Sequence, residues 1–306
     1  MLKRISKSII CISVGFISSL FFAQQVPDLN FNPEIVSPAY AKEKGTVVYI
    51  DEAHYNFHTR SGRYAPFAKL LEKDGYVTKS FSQKFTVKSL KDIKILVIAN
   101  ALNEINVEKW DLPNPSAFTD DEVNAVEQWV ANGGSLFLIA DHMPFPAAAE
   151  RLAAKFGFRF HNAFNIDIVN PAYFWRSNGS IVENVITNGR NTAETVHQIP
   201  KTEGQGFDIP ADATSILKFH GTSFLLYPKK DWYFDSDTPM VSAEGMSQGA
   251  YKKHGKGRVI VFGEASLFTA QIGQPGNRKM GMNNVTAKDN YKLLLNCIHW
   301  LDYILD

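Results

Sequence analysis

The sequence predicts an α/β domain built on a mainly parallel sheet, and three features predict it. Short, largely apolar runs end abruptly in polar residues, amphipathic stretches with helix-capping signals alternate with them, and the chain is long and apolar enough to fill the core that such a sheet needs. The runs are residues 47–50 (VVYI), 94–99 (KILVIA) and 135–140 (SLFLIA). Strands of this composition are buried on both faces, as in parallel sheets covered by helices. With 306 residues and 45% hydrophobic content, the chain can fill one large domain or two modest ones. A formal net charge of +1, with no long run of like charge, gives no electrostatic reason for a nucleic-acid partner.

The amino terminus reads as a targeting segment. Lys3, Arg4 and Lys7 precede an apolar stretch over residues 9–23, the charged and hydrophobic regions of a secretory signal, short for a membrane span. Export to the periplasm or outside the cell is expected. Residues 21–23 make a poor cleavage site, and 39–41 a better one far from the apolar stretch, so an uncleaved amino-terminal anchor stays open as the only membrane contact. Cys11 lies inside the apolar stretch, leaving Cys297 alone in an exported chain and no internal disulfide. Residues 24–44, with their prolines, read as a linker, and 45–306 as the domain.

Within the domain, residues 63–74 predict a helix with Tyr64, Phe67, Ala68, Leu70 and Leu71 on one face and Gly75 at its end. A strand follows over 76–81. Thr119 and Glu122 frame a capping box, after which Val123, Val126, Trp129 and Val130 form a buried stripe that Gly133-Gly134 ends. A helix is expected over about 146–155 and a strand over 158–164. Residues 165–232 mix Asn, Gly and Pro with short apolar runs and read as an irregular insert with some antiparallel strands. Residues 249–254 and 258–262 predict a hairpin around Gly255-Lys256-Gly257, and 289–305 an amphipathic closing helix.

Chemistry-bearing residues gather where the apolar runs end. In open α/β sheets, ligands bind beyond the carboxyl ends of the strands. Asp51, Glu52, His54 and His58 follow the first run, Asn100 the second, Asp141 and His142 the third, and Glu264 the hairpin. Two chemistries fit. His54, His58 and Asp141 could hold one divalent metal ion that activates water, or Glu52, His142 and Glu264 could act directly as general acid and base. Asp51, Arg63, Asn100 and Gln271 are the candidate substrate contacts. Arg63 and Tyr64 could meet an anionic group or a sugar hydroxyl; the blander alternative pairs Arg63 with Asp51 or Glu52.

Other motifs carry less. Residues 245–249 match GxSxG, but a strand follows the serine where a nucleophile elbow needs a helix. No glycine-rich phosphate loop supports a nucleotide cofactor. Asn178-Gly179-Ser180 fits both a glycosylation acceptor and an ordinary turn, and Cys297 reads as a small core residue.

The segments VVYIDEAHYNFHTRSGRYAPFAKLLEKDGY, AFTDDEVNAVEQWVANGGSLFLIADHMPFPAAAERLAAKFG and GKGRVIVFGEASLFTAQI, with MGMNN and NYKLLLNCIHWL, resemble a family of bacterial exported proteins. That family is similar in turn to class I glutamine amidotransferase-like domains, including the ThuA-like and GldG or intraflagellar-transport-like groups. The resemblance implies a flavodoxin-like three-layer sandwich with a mainly parallel sheet. It does not imply glutaminase activity, because LIADHMPF offers no thiol where those enzymes carry one. Relatives associated with sugars turn the expectation toward an exported hydrolase acting on a carbohydrate-containing or other polar substrate, a small molecule or glycan. The competing expectation is a glycan-binding or envelope interaction module, with Tyr173, Phe174, Trp175, Trp232 and Tyr233 stacking on sugar rings.

Overall fold

A computed structural model describes residues 25–169 and 172–306. The predicted signal segment, with Cys11, lies outside them. Among the described residues no helix is long and apolar enough to cross a membrane.

The strands are β1 (Gln25–Pro27), β2 (Val47–Asp51), β3 (Val77–Phe81), β4 (Ile95–Ala99), β5 (Ser135–Ile139), β6 (Phe164–Asp167), β7 (Tyr173–Trp175), β8 (Gln198–Pro200), β9 (Thr214–Lys218), β10 (Ser223–Leu226), β11 (Met240–Ser242), β12 (Ser247–His254), β13 (Gly257–Phe262), β14 (Ala270–Gly273) and β15 (Arg278–Gly281). The helices are α1 (Ala65–Lys73), α2 (Val87–Leu90), α3 (Asp120–Ala131), α4 (Phe145–Lys155), α5 (Val185–Asn188) and α6 (Asn290–Leu301).

The central sheet has the order β3-β2-β4-β5-β13-β12-β9. Its first five members run parallel, and β12 and β9 are antiparallel additions at one edge. The apolar runs form its buried centre because every residue of β4 and β5 is covered on one face or the other. Alternation assigns the faces. Val97, Phe137, Ile139 and Ile260 pack under α1 and α6, while Leu96, Leu136, Leu138 and Val261 pack under α3 and α4. The result is the expected three-layer sandwich. From β2 the chain moves outward to β3 and then returns to β4 on the other side. In open α/β sheets such a reversal marks the place for a ligand, here the carboxyl ends of β2 and β4.

Two expectations are corrected. Residues 25–44 are not a free linker but a strap packed on the domain: β1 pairs antiparallel with β14, and Tyr40 donates from its hydroxyl to Asp302 at 2.6 Å and stands edge-on to Tyr76. Its apolar residues, Phe31, Ile35, Ala39 and Tyr40, follow no helical or strand period, yet they cover core that would otherwise meet water. The region 165–232 holds the antiparallel strands expected of it, but it is more than an irregular insert. Its β9 is the edge strand of the central sheet, while β6 joins β10 and β11 in a small second sheet and β7 pairs with β8.

Candidate functional site

The tips of β4, β5 and β13 build the centre of the site. Asn100, just past β4, holds φ at 49°, in the left-handed region that Asn tolerates better than most residues. This turn aims its side-chain carbonyl at the next tip, where it accepts a hydrogen bond from the Asp141 backbone N–H at 2.9 Å. Asp141 in turn accepts from the His142 N–H at 2.8 Å, and its carboxyl is coupled electrostatically to that of Glu264, two residues beyond β13. The Glu264 carboxyl also accepts from the backbone N–H groups of Gly204, at 2.9 Å, and Ser266, at 2.7 Å. Only glycine fits at 204, since a Cβ there would lie 2.0 Å from the Gly263 carbonyl oxygen.

Asp141 and Glu264 are 8% and 2% exposed. Two carboxylates so close cannot both ionise away from water, so the pair holds a proton between them. Burial pushes Asp141 up to about 6, and burial together with the Asp141 charge pushes Glu264 up to about 8. At neutral pH the dyad is therefore a proton donor. Buried Tyr64 lies beside it, its hydroxyl raised by burial and by both acids.

His142 stands next to the dyad. Its Nδ1 is 2.7 Å from the Met143 carbonyl oxygen, which assigns the proton to Nδ1 and leaves Nε2 bare. Burial lowers its pKa against the opposing pull of Glu264, Asp231 and Glu203, so the ring is neutral. It stacks on Phe164, with centroids 4.4 Å apart, and Trp232 stands edge-on to it at 4.9 Å. Trp232 is 51% exposed and holds φ at 54°, a conformation rare for so large a side chain. Burial also raises Asp231, to about 6.

A row of rings continues from His142 through Trp110, at 5.9 Å, to Phe57, 5.3 Å further on. The Arg63 guanidinium lies 3.8 Å above the Phe57 ring. His58, 3% exposed, packs on Phe57 and Tyr64. Burial, aided by Arg63 and His142, depresses it to about 3, so it is neutral. Arg63 does not pair with Asp51 or Glu52.

The tip of β2 departs from expectation. His54 sits between two acids, with Nδ1 2.9 Å from Asp51 and Nε2 3.1 Å from Glu122. Asn56 donates to Asp51 at 3.0 Å, and Phe85 and Phe118 cover the imidazole. Burial opposes the His54 charge, but the bonds and charges of Asp51 and Glu122 outweigh it and raise its pKa. Both ring nitrogens are occupied, so His54 has no lone pair to offer a cation. The proposed ligand set of His54, His58 and Asp141 is thus not assembled, and among the described residues no group of three His, Cys, Asp or Glu side chains could hold a metal ion. Asp51 acts within this network, buried and bonded to His54 and Asn56. Glu52 accepts from the Arg60 N–H at 2.8 Å, shaping the loop rather than joining the dyad. Gln271, on β14, bonds Thr269, and its backbone carbonyl accepts from Asn283, away from the dyad's contacts.

Several of these partners were not legible beforehand. Glu122 announces only a capping box, which it does form with Thr119. Gly204, Trp110 and Asp231 carry no motif, and they arrive from loops. Trp175 pairs with Tyr173 on the β7–β8 ribbon, apart from the contacts of His142. Ser247 lies buried in β12 and donates to Ser215, and Asn178-Gly179-Ser180 forms a turn with Gly179 at φ 76°. Cys297 is buried in α6.

No family model matches the chain, and no curated protein matches it in sequence. Solved structures do. The IFT52 N-terminal domain superposes with a TM-score of 0.58 at 14% identity, over 84% of this chain and 97% of that one. A cytoplasmic protein from Salmonella typhimurium LT2 gives 0.50 at 13%, over 86% and 100%. A ThuA-like protein from Bacteroides uniformis ATCC 8492 gives 0.44 at 17%, over 86% and 93%. At such identities the likeness to the first two establishes a shared fold and nothing further.

Proposed function

We propose that the protein is an exported hydrolase acting on a carbohydrate-containing or other polar substrate, with a site at the strand tips of a class I glutamine amidotransferase-like domain. The observation that carries this reading is the buried Asp141–Glu264 dyad, which keeps a proton at neutral pH beside a neutral His142 with a free Nε2. Pairs pushed to unequal proton affinity are the means by which acid and base work together at one pH. The two carboxyls act on each other's proton affinity as neighbours, unlike the facing acid and base of a glycosidase, which stand about 5–5.5 Å apart for retention and about 6.5–9.5 Å for inversion. The dyad therefore acts as one acid. His142 Nε2 takes a proton from water as its oxygen attacks, and the dyad returns a proton to the leaving oxygen. Trp110 and Trp232 provide ring faces for a sugar.

The test is turnover by the full chain of chromogenic glycosides, glycosyl esters and soluble polysaccharides between pH 4 and 9. The expected rate falls on the acid side as His142 takes up a proton and falls above about 8 as Glu264 ionises. No turnover at any pH by a folded protein would overturn the reading. The exposed Trp232 over His142 favours, as a second reading, a glycan-binding module that uses the same strand tips. Glycan-array binding that is lost in Trp232→Ala, with the bound glycan left intact, would support that module instead.

A further inference from the structure

The site has two ends of opposite character. His142 feels Glu264, Asp231 and Glu203, all acidic, whereas His58 feels only Arg63 and His142. Burial alone acts on Arg63, with no carboxylate close enough to support its charge. This is unusual within the molecule. Arg60, Arg151, Arg159, Arg176, Arg190 and Arg258 each form an ion pair, and the remaining described arginine without one, Arg278, lies in solvent. Arg63 is partly buried, its Nε has no hydrogen-bond partner, and His58 Nδ1 beside it is buried without a partner as well.

Folded proteins rarely leave buried donors unpaired, because the water they lose must be replaced. A guanidinium held flat on a ring presents its fork in a fixed direction, and that fork matches the paired oxygens of a carboxylate or phosphate. Phe57 supplies such a ring to Arg63. Trp110 joins Phe57 to His142, so one row of rings on which a sugar can stack runs from the Arg63 end to the His142 end.

We propose that Arg63 and His58 form an anion subsite, so that the substrate carries a carboxylate or phosphate on the sugar residue beside the bond attacked at the dyad. The class is an acidic glycan, a uronate or a sugar phosphate. This inference rests on the reading of the strand tips as a substrate site, and its test does not depend on turnover.

Binding of glucuronate, glucose 6-phosphate and glucose to the full chain is measured by titration calorimetry, with circular dichroism to confirm folding of each variant. At least one acidic sugar is expected to bind about tenfold or more tightly than glucose. Arg63→Gln should erase that preference, and Arg63→Lys, which keeps the charge but not the fork, should reduce it. Glu264→Gln should leave it in place while removing any turnover. Stronger binding of glucuronate assigns a carboxylate, and stronger binding of the phosphate ester assigns a phosphate. Equal binding of acidic and neutral sugars by the wild type, or a preference that survives in folded Arg63→Gln, would overturn the proposal. A preserved acidic preference without hydrolysis would overturn the enzyme reading and leave the subsite standing.

Discussion

Two clusters made from the same residue types stand at the strand tips, one around His54 and one around His142. Around His54, each ring nitrogen meets a carboxylate, and Asp51 also accepts from Asn56. Around His142, the ring leaves Nε2 free, and the adjoining carboxyls compete for one proton. The first cluster is a lock that ties the β2 tip to the start of α3. The second is poised to exchange protons. A histidine beside an aspartate at a strand end is thus no guide to function by itself; what decides is whether the surrounding fold has satisfied it.

The comparison breaks most sharply on turnover. Glu264→Gln and His142→Ala should each lower the rate by about 10²–10⁴-fold, while His54→Gln, if folded, should change it little. A rate loss in the His54 variant equal to that in the His142 variant would merge the two clusters into one site.

Stability should run the other way. His54→Ala leaves Asp51 and Glu122 as buried acids without their cation, at a cost of about 3–5 kcal/mol. His142→Ala, on a half-open ring, should cost less, about 1–2 kcal/mol. Urea midpoints for the two variants measure the contrast directly.

The pH dependence of stability sharpens it further. The folded state raises the Glu264 carboxyl to about 8, so between its unfolded value and 8 the folded protein binds more protons than the unfolded chain. Stability must then fall as pH rises through that window. His54, also raised, contributes stability that is present below its unfolded value and lost above its folded one. His58, depressed to about 3, acts oppositely, with stability rising between about 3 and its unfolded value. Above pH 6.5, therefore, only the falling contributions remain. Denaturation midpoints from pH 6.5 to 8.5 should decline in the wild type and decline less in Glu264→Gln. Parallel slopes would show that Glu264 is not proton-bearing at neutral pH.

The smallest effect is expected at Glu52, which serves only the loop through the Arg60 N–H. Glu52→Gln should cost about 1 kcal/mol of stability and leave turnover unchanged. A large rate loss would restore Glu52 to the catalytic group.

What the sequence alone determined about this protein is its layered architecture and the strand ends at which its ionisable groups gather. Runs such as ILVIA and SLFLI have no polar alternation, so they can only be strands covered on both faces, and the polar residues after them fall at the sheet's carboxyl edge. These are local properties, readable from neighbours along the chain. The strap escaped that reading because Phe31, Ile35 and Tyr40 bury themselves on a surface formed by distant elements rather than by any period of their own.

The roles within the site were decided only by tertiary structure. Glu122 on α3 closes the lock on His54 across 68 residues of chain, and Gly204 reaches Glu264 across 60. Trp232 comes over His142 from a loop with no regular pattern. A side chain's proton affinity depends on desolvation and on the few charges and donors within hydrogen-bonding reach, and in a sheet those neighbours come from other strands. Spacing in the sequence can therefore say where reactive groups will gather, while only the packed molecule separates the aspartate that is already paired from the one that must share a proton.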